Sequence, residues 1–534
     1  MSLPRSWKNC VYTVWDNQVD HVQIMFDCFT KPTGVNFQAK IFGDTSPCGA
    51  GKTFTTGFLG RALQDHFQQD VYVFLLRPKN IGKNWLKVMH NCGLKVTYAD
   101  TYQSFAGRCS GINHTYLMNH TEQKGKDTVE RIRYTTHLQN LIDNHAVLFV
   151  FDEFHVAKNK NTRNQEAVAE VARAIYSNPQ TKCRMLLMSG SAKDSSEQVF
   201  ALSKNMGLVT AREMYTYNVG TRSYNLTGIR QLYDKARQVN PTLADQIYPG
   251  DFSIKKANGK RIFNKLFLDI FAPYLFHDMP RPPSRQRKFD GEFYVPPEFV
   301  PQLTAAINSL HQAVNFKRES GEVQVEKSNF GAITKSLRQI EVAKLPLFLF
   351  ATIRLLQSSP NTKVVVYLNY TDSIMWLRDA LASNGYVDDV ITITGSSSKS
   401  NEDDMLKFQE PNRKVRVMIS NPKIGGVGVS LDSEYFINEG GYSGYGLQSP
   451  SYMYTDMIQA PYRLDRAGTK EDSNFIMVYG DTRQVPEESS IINAMLRKSP
   501  EVKELMQNNQ NLILPGEYER YIEYPDEADF PHNK

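Results

Sequence analysis

FQAKIFGDTSPCGAGKTFTTGFLGRALQDHF, residues 37–67, holds a short apolar run from Phe37 to Phe42, a loop of small residues, and a helical pattern from Thr53 with apolar positions at Phe54, Phe58, Leu59 and Leu63. Strand, loop and helix in that order are the setting a phosphate-binding loop needs. The loop itself, Ser46-Pro47-Cys48-Gly49-Ala50-Gly51-Lys52-Thr53, fits the pattern xxxxxGK[ST], with Ser46 where the first glycine is usual. Small residues let the backbone curl so that several N–H groups face one phosphate, and the helix start adds partial positive charge. Pro47, Cys48, Gly49, Ala50 and Gly51 would then cradle the phosphates. Lys52 would reach the β- and γ-phosphates, and the Thr53 hydroxyl would bind Mg2+.

Such a loop needs a carboxylate partner for the metal. AVLFVFDEFH, residues 146–155, opens with six consecutive apolar residues and ends in Asp152-Glu153-Phe154-His155. An unbroken apolar run of this length reads as a strand buried on both faces of a parallel sheet. A carboxylate at its C-terminal end lies where open α/β sheets bind ligands. Asp152 would hold Mg2+ through its water shell, and Glu153 would take the proton of an attacking water.

Working outward, the chain has 534 residues, 62 Lys and Arg against 56 Asp and Glu (62 − 56 = +6), 41% hydrophobic and 22% charged residues. These values exclude a disordered, collagen-like or disulfide-scaffold protein. The length allows about three domains, or two large ones with an insert. The small positive charge permits a polyanionic partner without demanding one. Cys10, Cys28, Cys48, Cys92, Cys109 and Cys183 form no CxxC pair, so a reducing compartment is expected, with neither a zinc site nor a disulfide framework. No run of about 18 apolar residues and no secretory h-region stand out, so the reading is an intracellular, soluble chain without membrane contact.

Alternating apolar runs (38–42, 71–76, 147–151, 185–188) and helical patterns (53–69, 128–144, 164–177) predict a first parallel-sheet core over residues 36–205. Runs near 363–368, 390–393, 415–419 and 474–479 predict a second over 345–505. Residues 1–35 precede the first core. Residues 206–344 read as a basic, mostly helical linking region, and 506–534 as an acidic flexible tail. Between Lys255 and Lys288 nine basic residues face two acidic ones, Asp269 and Asp278, which reads either as a phosphate-backbone contact or as a solvated basic loop.

With both sites in view, the sequence resembles the superfamily-two helicases and translocases in their DExH form. VYVFLLRPKNIGKNW (Val71 to Trp85) and KVTYADTYQSF (Lys95 to Phe105) look like phrases of the Swi/Snf-type ATPases. RMLLMSGSAKD (Arg184 to Asp194) looks like motif III, with SGSA in place of the usual SAT or TGT. TKVVVYLNYTDSIMWLRDAL (Thr362 to Leu381) resembles motif IV, and VRVMISNPKIGGVGVSLD (Val415 to Asp432) motif V with Gly425, Gly426 and Gly428 at its turn. Gln459-Ala460-Pro461-Tyr462-Arg463-Leu464-Asp465-Arg466 fits QxxxRxxR, motif VI. The compact helicase-like NTPases of large DNA viruses are similar too.

The resemblance implies two tandem RecA-like parallel-sheet domains with an ATP cleft between them. It implies ATP and Mg2+ as ligands and a nucleic-acid partner, DNA favoured over RNA. Arg463 and Arg466, with Gln459, would act on the γ-phosphate, with Gly426 and Gly428 beside the nucleotide. His155, Ser189, Ser191 and Asp432 would couple ATP state to movement. Gln18 would read the adenine edge, although Gln23 competes for that part. The activity implied is ATP hydrolysis coupled to movement along, or unwinding of, nucleic acid. Three alternatives stay open: a duplex-DNA translocase that separates no strands, a non-hydrolysing nucleic-acid-binding or assembly protein on the same fold, and a small-molecule P-loop kinase.

Overall fold

The computed structural model describes residues 15–47, 49–78, 82–107, 115–124, 127–157, 159–160, 162–189, 198–218, 223–248, 256–280, 286–315, 329–394, 400–409, 414–422, 431, 443–451, 457–458, 460–464, 473–483, 487–499 and 514–523. The chain divides into two compact units, Met1–Arg281 and Pro282–Lys534.

In the first unit the strands are β1 (Ile41–Asp44), β2 (Val71–Leu76), β3 (Lys95–Asp100), β4 (Leu117–Lys124), β5 (Asp127–Tyr134), β6 (Ala146–Asp152), β7 (Arg184–Met188), β8 (Thr216–Asn218), β9 (Ser223–Asn225) and β10 (Phe276–His277). Six of them form one sheet in the order β10-β1-β7-β6-β2-β3, every pairing parallel. The central strands β6 and β7 are buried along their whole length, as apolar runs require when helices cover both faces. Helices α1 (Asp16–Thr30), α2 (Lys52–Phe67), α3 (Gly82–Asn91), α4 (Tyr102–Phe105), α5 (Thr136–Asn144), α6 (Arg163–Ser177) and α7 (Gln198–Asn205) serve that sheet. The strand ends at Asp44 and Asp152 flank β7, so its following residue, Ser189, stands between them; its N–H donates to the Asp44 carbonyl at 3.0 Å.

One local expectation fails. The helical pattern over 128–144 splits, and only Thr136–Asn144 is helical. Asp127–Tyr134 is a strand, paired antiparallel with Leu117–Lys124. The β-branched residues Thr128, Val129 and Ile132 favour extension, Ile132 is buried, and Arg131 and Arg133 pair with Glu166 and Glu170 of α6. Tertiary contacts outweigh a weak helical period.

In the second unit the strands are β11 (Gln286–Tyr294), β12 (Thr362–Tyr367), β13 (Val390–Ile393), β14 (Val417–Ser420), β15 (Ser443–Gln448), β16 (Ser473–Asp481) and β17 (Glu519–Glu523). They form one parallel sheet in the order β13-β14-β12-β15-β16-β11-β17. The fold is therefore α/β with two tandem RecA-like parallel sheets. A buried ion pair ties this sheet to its helices: Lys344 Nζ lies 2.6 Å from Glu488 Oε1 and donates to the Val478 carbonyl at 2.7 Å, while Glu488 Oε2 accepts the Gly480 N–H.

Two more readings change. The basic stretch is not one loop. Lys256–Lys265 is a helix that buries Phe263, and Gln286 to Lys288 begin β11, where Arg287 donates to Glu519 at 2.6 Å; Lys255, Arg281 and Arg285 lie outside the described residues. The tail is not wholly loose either. Glu519–Glu523 adds a parallel strand to β11, with the Tyr521 ring against Phe289 and Phe293. Two tyrosines, Tyr518 and Tyr521, supply the apolar surface that the acidic composition hid. Among the described residues no helix is long and apolar enough to cross a membrane, and the buried Cys28, Cys92 and Cys183 are not in disulfides.

A candidate nucleotide site in the first unit

The loop after β1 is built from the strand end upward. Asp44 is fully buried and its Oδ1 accepts the Ser46 N–H at 2.9 Å. Its other oxygen lies 3.3 Å from His21 Nε2, and His21 Nδ1 meets His277 Nδ1 at 2.8 Å, so one of the two rings must carry the bridging proton. Burial pushes the Asp44 carboxyl up, but His21, Lys52 and the Ser46 side chain outweigh it and leave the group below its usual range. The Ser46 hydroxyl accepts the Met279 N–H at 2.9 Å. A glycine at position 46 offers no such acceptor, which accounts for the departure from the usual pattern.

Gly49 and Gly51 both take positive φ, 86° and 92°. That backbone is strained for any residue with a β-carbon. Helix α2 then starts at Lys52 with no side-chain cap. By contrast, Thr101, Thr135 and Thr162 cap α4, α5 and α6 by accepting an N–H of the first turn. An uncapped start leaves its N–H groups for an anion. Lys52 Nζ donates to the carbonyls of Ser46 at 2.6 Å and Pro47 at 3.2 Å, which aims its charge along the loop. Ala50 is buried and Thr53 sits in the first turn of α2.

The two candidate glutamines are placed differently. Gln18 is buried, accepts the Trp15 N–H at 3.2 Å, and sits against the loop: a β-carbon on Gly51 would lie 2.4 Å from its Nε2. Gln23 instead donates to Asp27 on its own helix at 2.7 Å.

The DEFH turn follows β6. Asp152 Oδ1 accepts the Glu153 N–H at 2.9 Å, Oδ2 accepts Trp85 Nε1–H at 2.9 Å, and its carbonyl accepts the Tyr102 hydroxyl at 2.9 Å. Glu153 takes φ 51°, a left-handed backbone uncommon outside glycine. Its Oε2 lies 3.2 Å from His155 Nδ1, and the same nitrogen is 3.4 Å from Ser189 Oγ. Burial first, then the Glu153 charge, raise the Asp152 carboxyl from 3.8 to about 6, against the pull of Lys52 and Trp85.

Loop and turn thus stand at the ends of β1 and β6, the two strands either side of β7 in one sheet. Pro47, Gly49, Ala50, Gly51, Lys52, Thr53, Gln18, Asp152, Glu153, His155 and Ser189 all belong to the first unit. Among the described residues no three His, Cys, Asp or Glu side chains converge to hold a metal alone. One carboxylate and one hydroxyl fit Mg2+, which keeps several waters and borrows phosphate oxygens. Arg463 lies in the second unit, buried in a turn over Pro461–Arg463, and its carbonyl accepts the Leu431 N–H at 2.9 Å; among the described residues its Nε and Nη2 find no hydrogen-bond partner. Cys48, Ser191, Gly425, Gly426, Gly428, Asp432, Gln459 and Arg466 fall outside the described residues.

Sequence reading gave no part to His21 and His277, which are 256 positions apart and visible as a pair only in three dimensions. Trp85 and Tyr102 stood in quoted motifs but carried no role. A separate cavity of about 400 Å3 opens between the β4–β5 hairpin and α6, lined by Arg131, Arg133, Glu166, Glu170, Arg173 and Lys204. Its arginines are already tied to glutamates, so it is a neutralised wall rather than a trap for anions.

Residues 22–190 match the family described as "Type III restriction enzyme, res subunit". No curated protein matches the chain. Solved structures similar to it include the Sulfolobus solfataricus SWI2/SNF2 ATPase core domain, 14% identical over 88% of this chain and 86% of that one, with a TM-score of 0.30. The Pyrococcus furiosus Hef helicase domain is 14% identical over 90% and 97%, TM-score 0.33. S. cerevisiae Dbp5 bound to RNA and ADP BeF3 is 10% identical over 97% and 95%, TM-score 0.40. Over residues 22–190 the first unit of this chain is therefore similar to the ResIII domain, which is consistent with a helicase or translocase of superfamily two.

Proposed function

We propose that this protein is a nucleic-acid-dependent ATPase of the DExH type, coupling ATP hydrolysis to movement along or unwinding of nucleic acid, with DNA the favoured partner. One observation carries the reading: Lys52 on an uncapped helix start and the Asp152–Glu153 pair stand at the ends of strands in one sheet, inside the stretch that matches the helicase-type family.

The chemistry follows from the side chains. A triphosphate entering the loop offers Lys52 anionic oxygens in place of the Ser46 and Pro47 carbonyls, a stronger partner for an ammonium. Thr53 and Asp152 would hold Mg2+, which supplies charge neutralisation for the phosphates when bound. Glu153, oriented by His155, takes a proton from water as its oxygen attacks the γ-phosphorus, and ADP leaves. Ser189, bonded to both the Asp44 and His155 neighbourhoods, is placed to relay the change. Gln18 reads the adenine edge. Arg463 and Arg466, with Gln459, are the arginines and amide that the resemblance assigns to the γ-phosphate, Gly426 and Gly428 to the nucleotide, and Ser191 and Asp432 to coupling. Planar guanidinium groups suit charge spread over three phosphate oxygens. Contacts to nucleic acid run mainly to phosphates, so salt dependence is strong and sequence preference weak. In domain terms we assign 1–35 to adenine reading and 36–205 and 345–505 to the two motor cores, the first sheet completed by β10 and the second by β11 and β17, with the rest of 206–344 as the link.

A second reading, a duplex-DNA translocase that separates no strands, is favoured by the Swi/Snf-like phrasing around Trp85 and Tyr102. Phosphate release measured over a panel of single- and double-stranded DNA and RNA tests the first reading. Stimulation by none of them, with no basal hydrolysis, rejects it. Strand-unwinding and triplex-displacement assays run side by side separate the two readings.

A further inference from the structure

Two aromatic side chains converge on the acidic turn. Trp85 on α3 is 1% exposed and Tyr102 on α4 is 3% exposed. Helix α3 follows β2, the strand next to β6 in the sheet, and α4 follows β3, the strand beyond it, so the segments after both strands fold back over the DEFH turn. A buried indole N–H needs an acceptor. Here it takes the carboxylate Oδ2 of Asp152 rather than a carbonyl. The Tyr102 hydroxyl takes the Asp152 carbonyl, the atom of the peptide that links Asp152 to Glu153.

These bonds have separate consequences. Oδ1 of Asp152 is held by the Glu153 N–H and Oδ2 by Trp85, so the carboxylate cannot rotate without losing a buried hydrogen bond. Outer partners of this sort set the direction in which a ligating carboxylate presents its lone pairs. Tyr102 acts one bond further on. Glu153 holds a left-handed φ of 51°, which persists only where surroundings over-determine it. The hydroxyl pins the peptide entering that residue and so fixes the direction of the Glu153 side chain.

We propose that Trp85 and Tyr102 are positioning residues for the two hydrolytic carboxylates, Trp85 orienting Asp152 toward a metal-bound triphosphate and Tyr102 fixing the turn that aims Glu153. This inference rests on the ATPase reading above.

The experiment uses the full chain and a non-hydrolysable ATP analogue, with binding followed by calorimetry across a Mg2+ titration and again in EDTA. For Trp85→Phe the half-saturating Mg2+ concentration rises about tenfold, the low end for losing an outer partner of a metal ligand. Binding in EDTA, which depends on Lys52 and the loop, stays unchanged. Replacing Trp85 with benzothienylalanine, a sulfur-for-NH isostere that keeps the packing, reproduces the shift. For Tyr102→Phe the Mg2+ dependence is unaltered, while kcat falls about tenfold at constant KM, within the share of rate a correctly aimed base supplies. Wild-type Mg2+ dependence in both position-85 variants, or equal losses with and without the metal, reduces Trp85 to a packing residue and overturns the proposal. If the unaltered chain binds no nucleotide under either condition, the ATPase reading itself fails, and this inference falls with it.

Discussion

Gln18 and Gly51 share one small space: the amide nitrogen of the first would lie 2.4 Å from any β-carbon added to the second. Gly51 also holds φ 92°, where an L-residue costs roughly 1–2 kcal/mol. Gly51→Ala is therefore expected to strain the loop and displace Gln18 together, weakening nucleotide binding at least about tenfold. Gln18→Ala removes only the polar edge. It should narrow the preference for ATP over GTP while leaving triphosphate binding largely intact, as competition binding would show.

Lys52 and Glu153 should separate binding from turnover. Lys52→Ala deletes the charge that the loop aims at phosphate, so both nucleotide affinity and hydrolysis collapse. Glu153→Gln keeps size and loses the base; turnover is expected to fall by about 10³ with nucleotide affinity retained. Steady-state phosphate release beside equilibrium binding distinguishes the patterns. Retention of full turnover by Glu153→Gln would remove Glu153 from the mechanism.

Lys344 and Glu488 predict a large stability effect with no catalytic content. The pair is wholly buried, with side chains 0% and 1% exposed. Lys344→Met leaves the Glu488 carboxylate uncompensated, which costs about 3–5 kcal/mol. Replacing both with apolar residues of similar volume recovers most of that loss. Denaturant unfolding of the single and double variants measures it.

Asp290 predicts a pH response at the sheet edge. Its Oδ2 accepts the Gly516 N–H at 2.8 Å and the Tyr518 N–H at 3.1 Å, which anchors the segment carrying β17. Burial first, with Glu292 and Glu517 nearby, raises its carboxyl from 3.8 to about 6 against those two bonds. The folded chain then holds the proton more tightly than the unfolded one. The contribution is fully present below the unfolded value and is lost as pH rises through the folded one. Hydrogen-exchange protection of Glu519–Glu523 should weaken between about pH 4 and pH 6. Asp290→Asn should flatten that slope.

How far the sequence could be read depends on the range of the interaction. A parallel strand buried on both faces must be apolar throughout, so AVLFVFD was visible without coordinates and emerged as β6. A phosphate loop needs small residues, a lysine and a hydroxyl in consecutive positions, so Gly49 to Thr53 was equally plain. The β4–β5 hairpin was not, because its extension is decided by α6, whose glutamates lie some 35 positions downstream of their arginines. The strand at Glu519–Glu523 was hidden for the same reason: its partner, β11, lies more than 220 positions away.

Local chemistry, then, was the chain's own to declare: which residues form the glycine loop, which form the acidic turn, and the rhythm that makes two parallel sheets. Only tertiary structure decided which distant groups finish each site. His21 and His277 close under Asp44, Ser46 takes its bond from Met279, Gln18 rather than Gln23 meets the loop, and Trp85 and Tyr102 hold Asp152. Burial is the reason. A polar atom sealed from water must find a partner, and which partner lies within about 3 Å is a fact of the packed chain rather than of its order.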